Sequence, residues 1–152
     1  MNNLTIRNAT LDDLSILLSF EQGVIKAERP FDETLENDPI TYYDLKELIQ
    51  SQDAYLVIAE IGNTLVASGY ALVKSARPYL NHNKYAYLGF MYTHPNYRGK
   101  GINSKIIEVL KDWSYTNGLK EIRLTVYEEN LNAIRAYEKV GFKKHMIEMR
   151  LE

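Results

Sequence analysis

The sequence predicts a mixed α/β fold: a central, mixed but mostly antiparallel sheet with helices on both faces. Three observations carry this. Two apolar, β-branched runs, Ala54–Ile61 and Thr64–Val73, are separated only by Gly62-Asn63, a short hairpin signal. Past Pro95 the hydrophobic period changes, and Ile102, Ile106, Val109, Leu110 and Trp113 line one stripe of a helix. The segment from Tyr85 through Val126 reads strand, helix, strand, which a right-handed crossover turns into a parallel pair.

The remaining elements follow in order. Leu4-Thr5-Ile6-Arg7 alternates as a first strand. Thr10 is placed to cap a helix with Asp12 and Asp13 at its positive dipole end and Leu11, Leu14, Leu17, Leu18 and Ile25 as its apolar face. From Arg29 to Ile40, prolines and acids make a loop. Thr41 to Asp44 has the spacing of a capping box with Asp in the acidic position, so a second helix is expected to reach about Gln50. The hairpin supplies two strands, and Tyr85–Thr93 the next, after the polar loop Ser75–Asn83. Gly118 stops the third helix, Glu121–Val126 alternates as a fifth strand, Asn130–Val140 is a fourth helix, and the chain returns to strand from Phe142. No repeat, low-complexity tract or linker divides this order, so residues 1–152 are expected to form one domain.

Composition narrows the function. A chain of 152 residues can bury roughly two thirds of its unfolded surface in one core. Its net charge of -2 argues against a nucleic-acid partner, which needs a surplus of clustered Lys and Arg. Without cysteine there is no disulfide, no thiolate nucleophile and no Cys-based zinc site; His82, His94 and His145 lie too far apart for a helical metal pair, and no metal is expected. The polar start Met1-Asn2-Asn3-Leu4-Thr5 lacks the pattern of a signal peptide and no apolar run approaches a membrane span, so the expected setting is the cytoplasm. Twelve tyrosines, against one Trp and four Phe, are the one marked bias.

The chemistry-bearing segment is Pro95 to Ser104, where a strand ends and a helix begins. Unpaired main-chain N–H groups at a helix start point outward, Gly99 and Gly101 admit an anion to the backbone, and Arg98 and Lys100 add positive charge. A P-loop is excluded, since Gly99-Lys100 lacks the earlier glycine that motif requires. A dinucleotide fingerprint is nearly met by Gly99, Gly101 and Ser104, but that motif opens a longer parallel sheet, whereas antiparallel strands precede it here. The plainest alternative is a tight strand-to-helix turn.

Arg98-Gly99-Lys100-Gly101-Ile102-Asn103 resembles the pyrophosphate signature of the GNAT superfamily of N-acetyltransferases, except at its last position. The run from Val126 to Phe142, with Asn130, Ala133, Tyr137 and then Gly141-Phe142, is similar to that family's second signature. The resemblance covers essentially the whole chain. It implies a strand pair that splays to admit pantetheine, acetyl-CoA as cosubstrate, and a small-molecule or peptide amine as acceptor. It places the pyrophosphate on Arg98, Gly99, Lys100, Gly101, Ile102, Asn103 and Ser104, the thioester at Met91, Tyr92 and Thr93, and the pantetheine beside Asn130 and Ala133. Tyr137 becomes the general acid for the departing thiolate; otherwise it is a core aromatic sharing a helical face with Ile134 and Val140.

Two departures matter. Many relatives carry a glutamate on the fourth strand, aligned with about Tyr87, and Tyr85–Thr93 contains no acid. Glu28 is then the candidate base, against the simpler reading of a solvated helix end; the acidic loop from Glu28 to Asp32, with Phe31, is the candidate acceptor wall, against a merely solvated loop. His94 is expected at the surface near the phosphates. Asn103 replaces a small residue and can itself donate to a phosphate oxygen. The competing function is a non-catalytic acyl-CoA-binding module that kept the loop and lost the base. A homodimer stays open.

Overall fold

The computed structural model describes residues 3–152; Met1 and Asn2, the first residues of the polar start, lie outside them. Five strands form one sheet in the order β1 (Leu4–Asn8), β2 (Ala54–Ile61), β3 (Thr64–Ser75), β4 (Lys84–Thr93) and β5 (Ile122–Arg123). Each of the first four runs antiparallel to its neighbours among them. The hairpin forms where expected, with Ile61 opposite Thr64 and Gly62 at φ 61°, a conformation that glycine adopts without strain. The two ends of the predicted strand–helix–strand unit meet as a parallel pair, Ala86 opposite Ile122 and Tyr87 opposite Arg123.

Strand alternation divides the core between the two faces of the sheet. On one face α3 (Ile102–Thr116) buries Ile102, Ile106, Ile107 and Leu110 against Val57, Ala59, Val66, Ala67, Ala71 and Leu88. Gly118, at φ 76°, ends it as expected. On the other face α1 (Leu14–Glu28) and α2 (Leu45–Gln50) cover Leu56, Ile58, Tyr70 and Phe90. Among the described residues no helix is long and apolar enough to cross a membrane.

The buried stripe of α1 is Leu17, Phe20, Glu21, Val24 and Ile25, whereas Leu11 and Leu18 stay nearly half exposed. The expected apolar face was thus rotated. With one side chain every 100° or so, Leu17, Phe20, Val24 and Glu28 share a face, and Glu21 lies beside it. Two glutamates therefore stand two turns apart toward the sheet side of this helix. A short 3₁₀ turn, Leu11–Asp13, precedes α1, with Thr10 and Asp13 forming the capping box and Asp13 paired to Arg7 at 2.9 Å.

Three expectations change. Asp44 is not the acidic end of a capping box; its own side chain caps α2 by accepting the Glu47 N–H at 3.1 Å. The fifth strand shrinks from Glu121–Val126 to Ile122–Arg123, because β4 and β5 diverge past Tyr87 and the ladder ends there. Residues 143–152 form no strand: the segment pairs with no described strand, and Met146, Ile147, Met149 and Leu151 are exposed. α4 (Leu131–Lys139) matches the expected fourth helix, with Asn130 as its cap.

Candidate active site

The loop between β4 and α3 is built for an anion. Gly99 and Gly101 sit at φ 77° and 79°, left-handed values that free the following amides to face outward, and a Cβ at either would meet nothing within 4 Å. The first turn of α3 starts at Ile102, so the N–H groups of Ile102, Asn103 and Ser104 have no helical carbonyl to bond. Ile102 is 1% exposed and offers only its backbone, while Asn103 and Ser104 keep partly open side chains. Arg98 donates its Nε–H to the Thr93 carbonyl at 3.0 Å, which spends one of five donors on fixing the end of β4. The Lys100 ammonium lies 5.4 Å from the Tyr97 ring. His94 is half-buried, and its Nδ1 accepts the Asn96 N–H at 3.2 Å, so it serves to shape the Pro95–Tyr97 turn.

Just before this loop β4 carries a bulge. Tyr70 pairs with Gly89 and Ser68 with Tyr92, so Phe90 and Met91 together face Gly69. Phe90 adopts φ 56°, a left-handed value that costs a non-glycine residue about 1–3 kcal/mol. Its carbonyl is held by the buried Ser68 hydroxyl at 3.1 Å, and its side chain is 2% exposed. The bulge redirects Met91, Tyr92 and Thr93 at the point where β4 has already left β5. A bridge closes the mouth of that gap, Tyr87 to Thr125 at 2.6 Å between hydroxyls.

Across the gap stands α4. Asn130 uses its Oδ1 to cap the helix, accepting the Ala133 N–H at 3.3 Å; its amide nitrogen makes no hydrogen bond among the described residues. Tyr137 packs its ring edge-on to Phe142 at 6.0 Å and lies partly against the α3-side core. Burial pushes its phenol up to about 12, and the negative charge of Glu28 and the nearness of Tyr87 push the same way. Tyr137 is therefore a packed aromatic whose phenol lies in the field of Glu28.

Glu28 closes the site from the other side. Burial raises its pKa from the ordinary carboxylate value; Tyr42 counteracts this, and the charge of Asp32 adds to it. The Tyr42 hydroxyl is buried without a hydrogen-bond partner, and although it and Glu28 shift each other's ionisation, their geometry falls short of a hydrogen bond. Asp32 is held down to about 2 by the Thr34 hydroxyl, the Tyr127 hydroxyl and the Thr34 amide. Burial and Asp32 raise the Tyr127 phenol. Glu28, Asp32 and Phe31 thus gather with Tyr42 and Tyr127 at one end of the splay.

Sequence reasoning missed Tyr42, Tyr43, Tyr127 and the Ser68–Phe90 support. The tyrosine bias was the signal: Tyr42, Tyr43, Tyr87, Tyr127 and Tyr137 all bear on Glu28 or on its neighbours.

Known proteins share this fold and parts of this sequence. A family model described as Acetyltransferase (GNAT) family matches residues 21–142. An uncharacterized N-acetyltransferase, YobR, of Bacillus subtilis is 44% identical over 46 residues, 30% of this chain and 19% of that protein. The thialysine N-epsilon-acetyltransferase of Bos taurus is 38% identical over 55 residues, 36% of this chain and 32% of that one. The chain thus spans a third or less of the length of these curated relatives. A structure described as a predicted acetyltransferase with acetyl-CoA, from Clostridium acetobutylicum, shares the fold at a TM-score of 0.75 and 20% identity, over 98% of this chain and 96% of that one.

Proposed function

We infer the function from one premise: this chain belongs to the acetyltransferase (GNAT) family. On this reading residues 1–152 act as a single-domain N-acetyltransferase that moves the acetyl group of acetyl-CoA directly onto the amine of a small molecule or peptide. The observation that carries it is the placement of an anion loop and a basic carboxylate at the two ends of one strand gap. The amides of Gly99 to Ser104, with Arg98 and Lys100, would hold the pyrophosphate. Asn130 and Ala133 would flank the pantetheine, and the rim of the gap at Met91, Tyr92 and Thr93 would turn main-chain groups toward the thioester.

The chain's residues then divide the chemistry. Glu28, with its raised pKa, takes a proton from the arriving ammonium. The freed nitrogen forms its bond to the acetyl carbon while the carbon–sulfur bond breaks. A main-chain N–H near the β4 bulge steadies the oxyanion. Tyr137, protonated far above neutrality, gives its proton to the departing sulfur and recovers one from the nitrogen, which sheds its second proton as it becomes the amide. Asp32 and Glu28 favour a cationic acceptor over a neutral one. The amine specificity of the bovine relative and the acetyl-CoA in the clostridial structure support the same class.

Release of free CoA from acetyl-CoA, measured across a panel of amines, tests this. Turnover with at least one amine is expected. A protein whose melting point rises with acetyl-CoA but which turns over no amine is instead the acyl-CoA-binding module.

A further inference from the structure

We propose that Glu21 is a positioning residue: it acts through the main chain of Tyr42 and Tyr43 to hold that segment over the acceptor end of the site. This rests on the reading above, in which Glu28 meets the amine. Glu21 is 0% exposed, in a stripe otherwise made of Leu17, Phe20, Val24 and Ile25. A carboxylate is costly in such a place unless it is compensated, and an apolar side chain would fill it more cheaply. The compensation is specific. One oxygen, Oε2, accepts the N–H of Tyr42 at 2.9 Å and of Tyr43 at 2.8 Å; Oε1 has no partner.

The segment so held has few other ties. Residues 40–44 precede α2 without regular secondary structure. Beside Glu21, the exposed bond from Gln22 Nε2 to the Ile40 carbonyl, at 3.0 Å, also joins the segment to α1. Yet it carries two side chains that the site needs. Tyr42 places its buried hydroxyl beside Glu28. Tyr43 lays its ring 5.0 Å from Phe90, the strained residue of the β4 bulge, and 5.7 Å from Tyr70. A single buried carboxylate thereby fixes both the surroundings of the base and the back of the bulge.

The discriminating variants are Glu21→Leu, which fills the space but accepts no hydrogen bond, and Glu21→Gln, which keeps one acceptor oxygen. Hydrogen exchange at the Tyr42 and Tyr43 amides should quicken at least tenfold in Glu21→Leu while the β2–β4 amides keep their rates. The acceptor KM should rise at least tenfold with the acetyl-CoA KM unchanged within about twofold, and Glu21→Gln should restore most of both. Wild-type amide exchange and acceptor KM in Glu21→Leu overturn the proposal, as does an equal rise in both Michaelis constants. Wild-type protein that turns over no amine overturns the enzymatic reading instead, and the exchange rates then decide the anchoring by Glu21 alone.

Discussion

Tyr127 donates its hydroxyl proton to the Asp32 carboxylate across 2.6 Å, joining residues that are 95 positions apart in the chain. The Phe31 and Tyr127 rings stack above this bond, with centroids 6.3 Å apart and planes inclined by 25°. The loop that follows α1 is therefore fastened to the exit of β5, and Glu28 keeps a set position relative to α4.

Tyr127→Phe keeps the stacked ring and removes that bond. The acceptor KM should rise severalfold while the acetyl-CoA KM holds, because only the acceptor wall is loosened. Steady-state kinetics with both substrates varied checks this; a change confined to acetyl-CoA would assign Tyr127 to the other end of the gap.

Tyr137→Phe leaves the contact with Phe142 and deletes the phenolic proton. The turnover number should fall roughly 10²-fold with little change in acetyl-CoA affinity. Because the phenol is pushed up to about 12, the wild-type rate should show no alkaline limb from Tyr137 below that value. An unchanged rate in the variant would leave Tyr137 a packing residue only.

Glu28 works as a base only when ionised, and burial raises its pKa. The rate should therefore climb with pH through a limb placed above the ordinary carboxylate range, and be lost as pH falls below it. Glu28→Gln should flatten that limb and lower the rate at neutral pH. A limb that survives in Glu28→Gln belongs to another group.

Much of the fold was legible because its signals are local. Gly62-Asn63 between two β-branched runs carries its own hairpin geometry, and Ile102, Ile106 and Leu110 repeat at a spacing that only a helix uses. The turn before α3 was legible for the same reason: its two left-handed positions are both glycines. What failed was non-local. Nothing in the residue Phe90 announces φ 56°; the register of β3 against β4 imposes it, with the Ser68 hydroxyl on its carbonyl. The contacts from Glu21 to Tyr42 and Tyr43 cross 21 and 22 positions and pass through main-chain N–H groups that no side-chain pattern reveals. The strand expected after Phe142 failed in the opposite sense, since Ile147, Met149 and Leu151 alternate as a strand does but pair with no described strand and stay exposed. Glu28 was legible as a candidate, but the burial that raises its basicity, with the charge of Asp32 added, comes from contacts distant in the chain.

The most direct test of the account is a calorimetric titration of acetyl-CoA into the wild-type protein and into Gly101→Val. Gly101 holds φ 79° with nothing within 4 Å of a Cβ placed there, so the valine acts mainly through its backbone, strained by about 1–2 kcal/mol, which would turn the loop amides away from a bound anion. Saturable binding of one acetyl-CoA per chain is predicted for the wild type, with affinity at least tenfold weaker in a Gly101→Val protein that still melts cooperatively. Absence of binding at millimolar acetyl-CoA, or equal affinity in the two proteins, would contradict the assignment of the pyrophosphate to this loop.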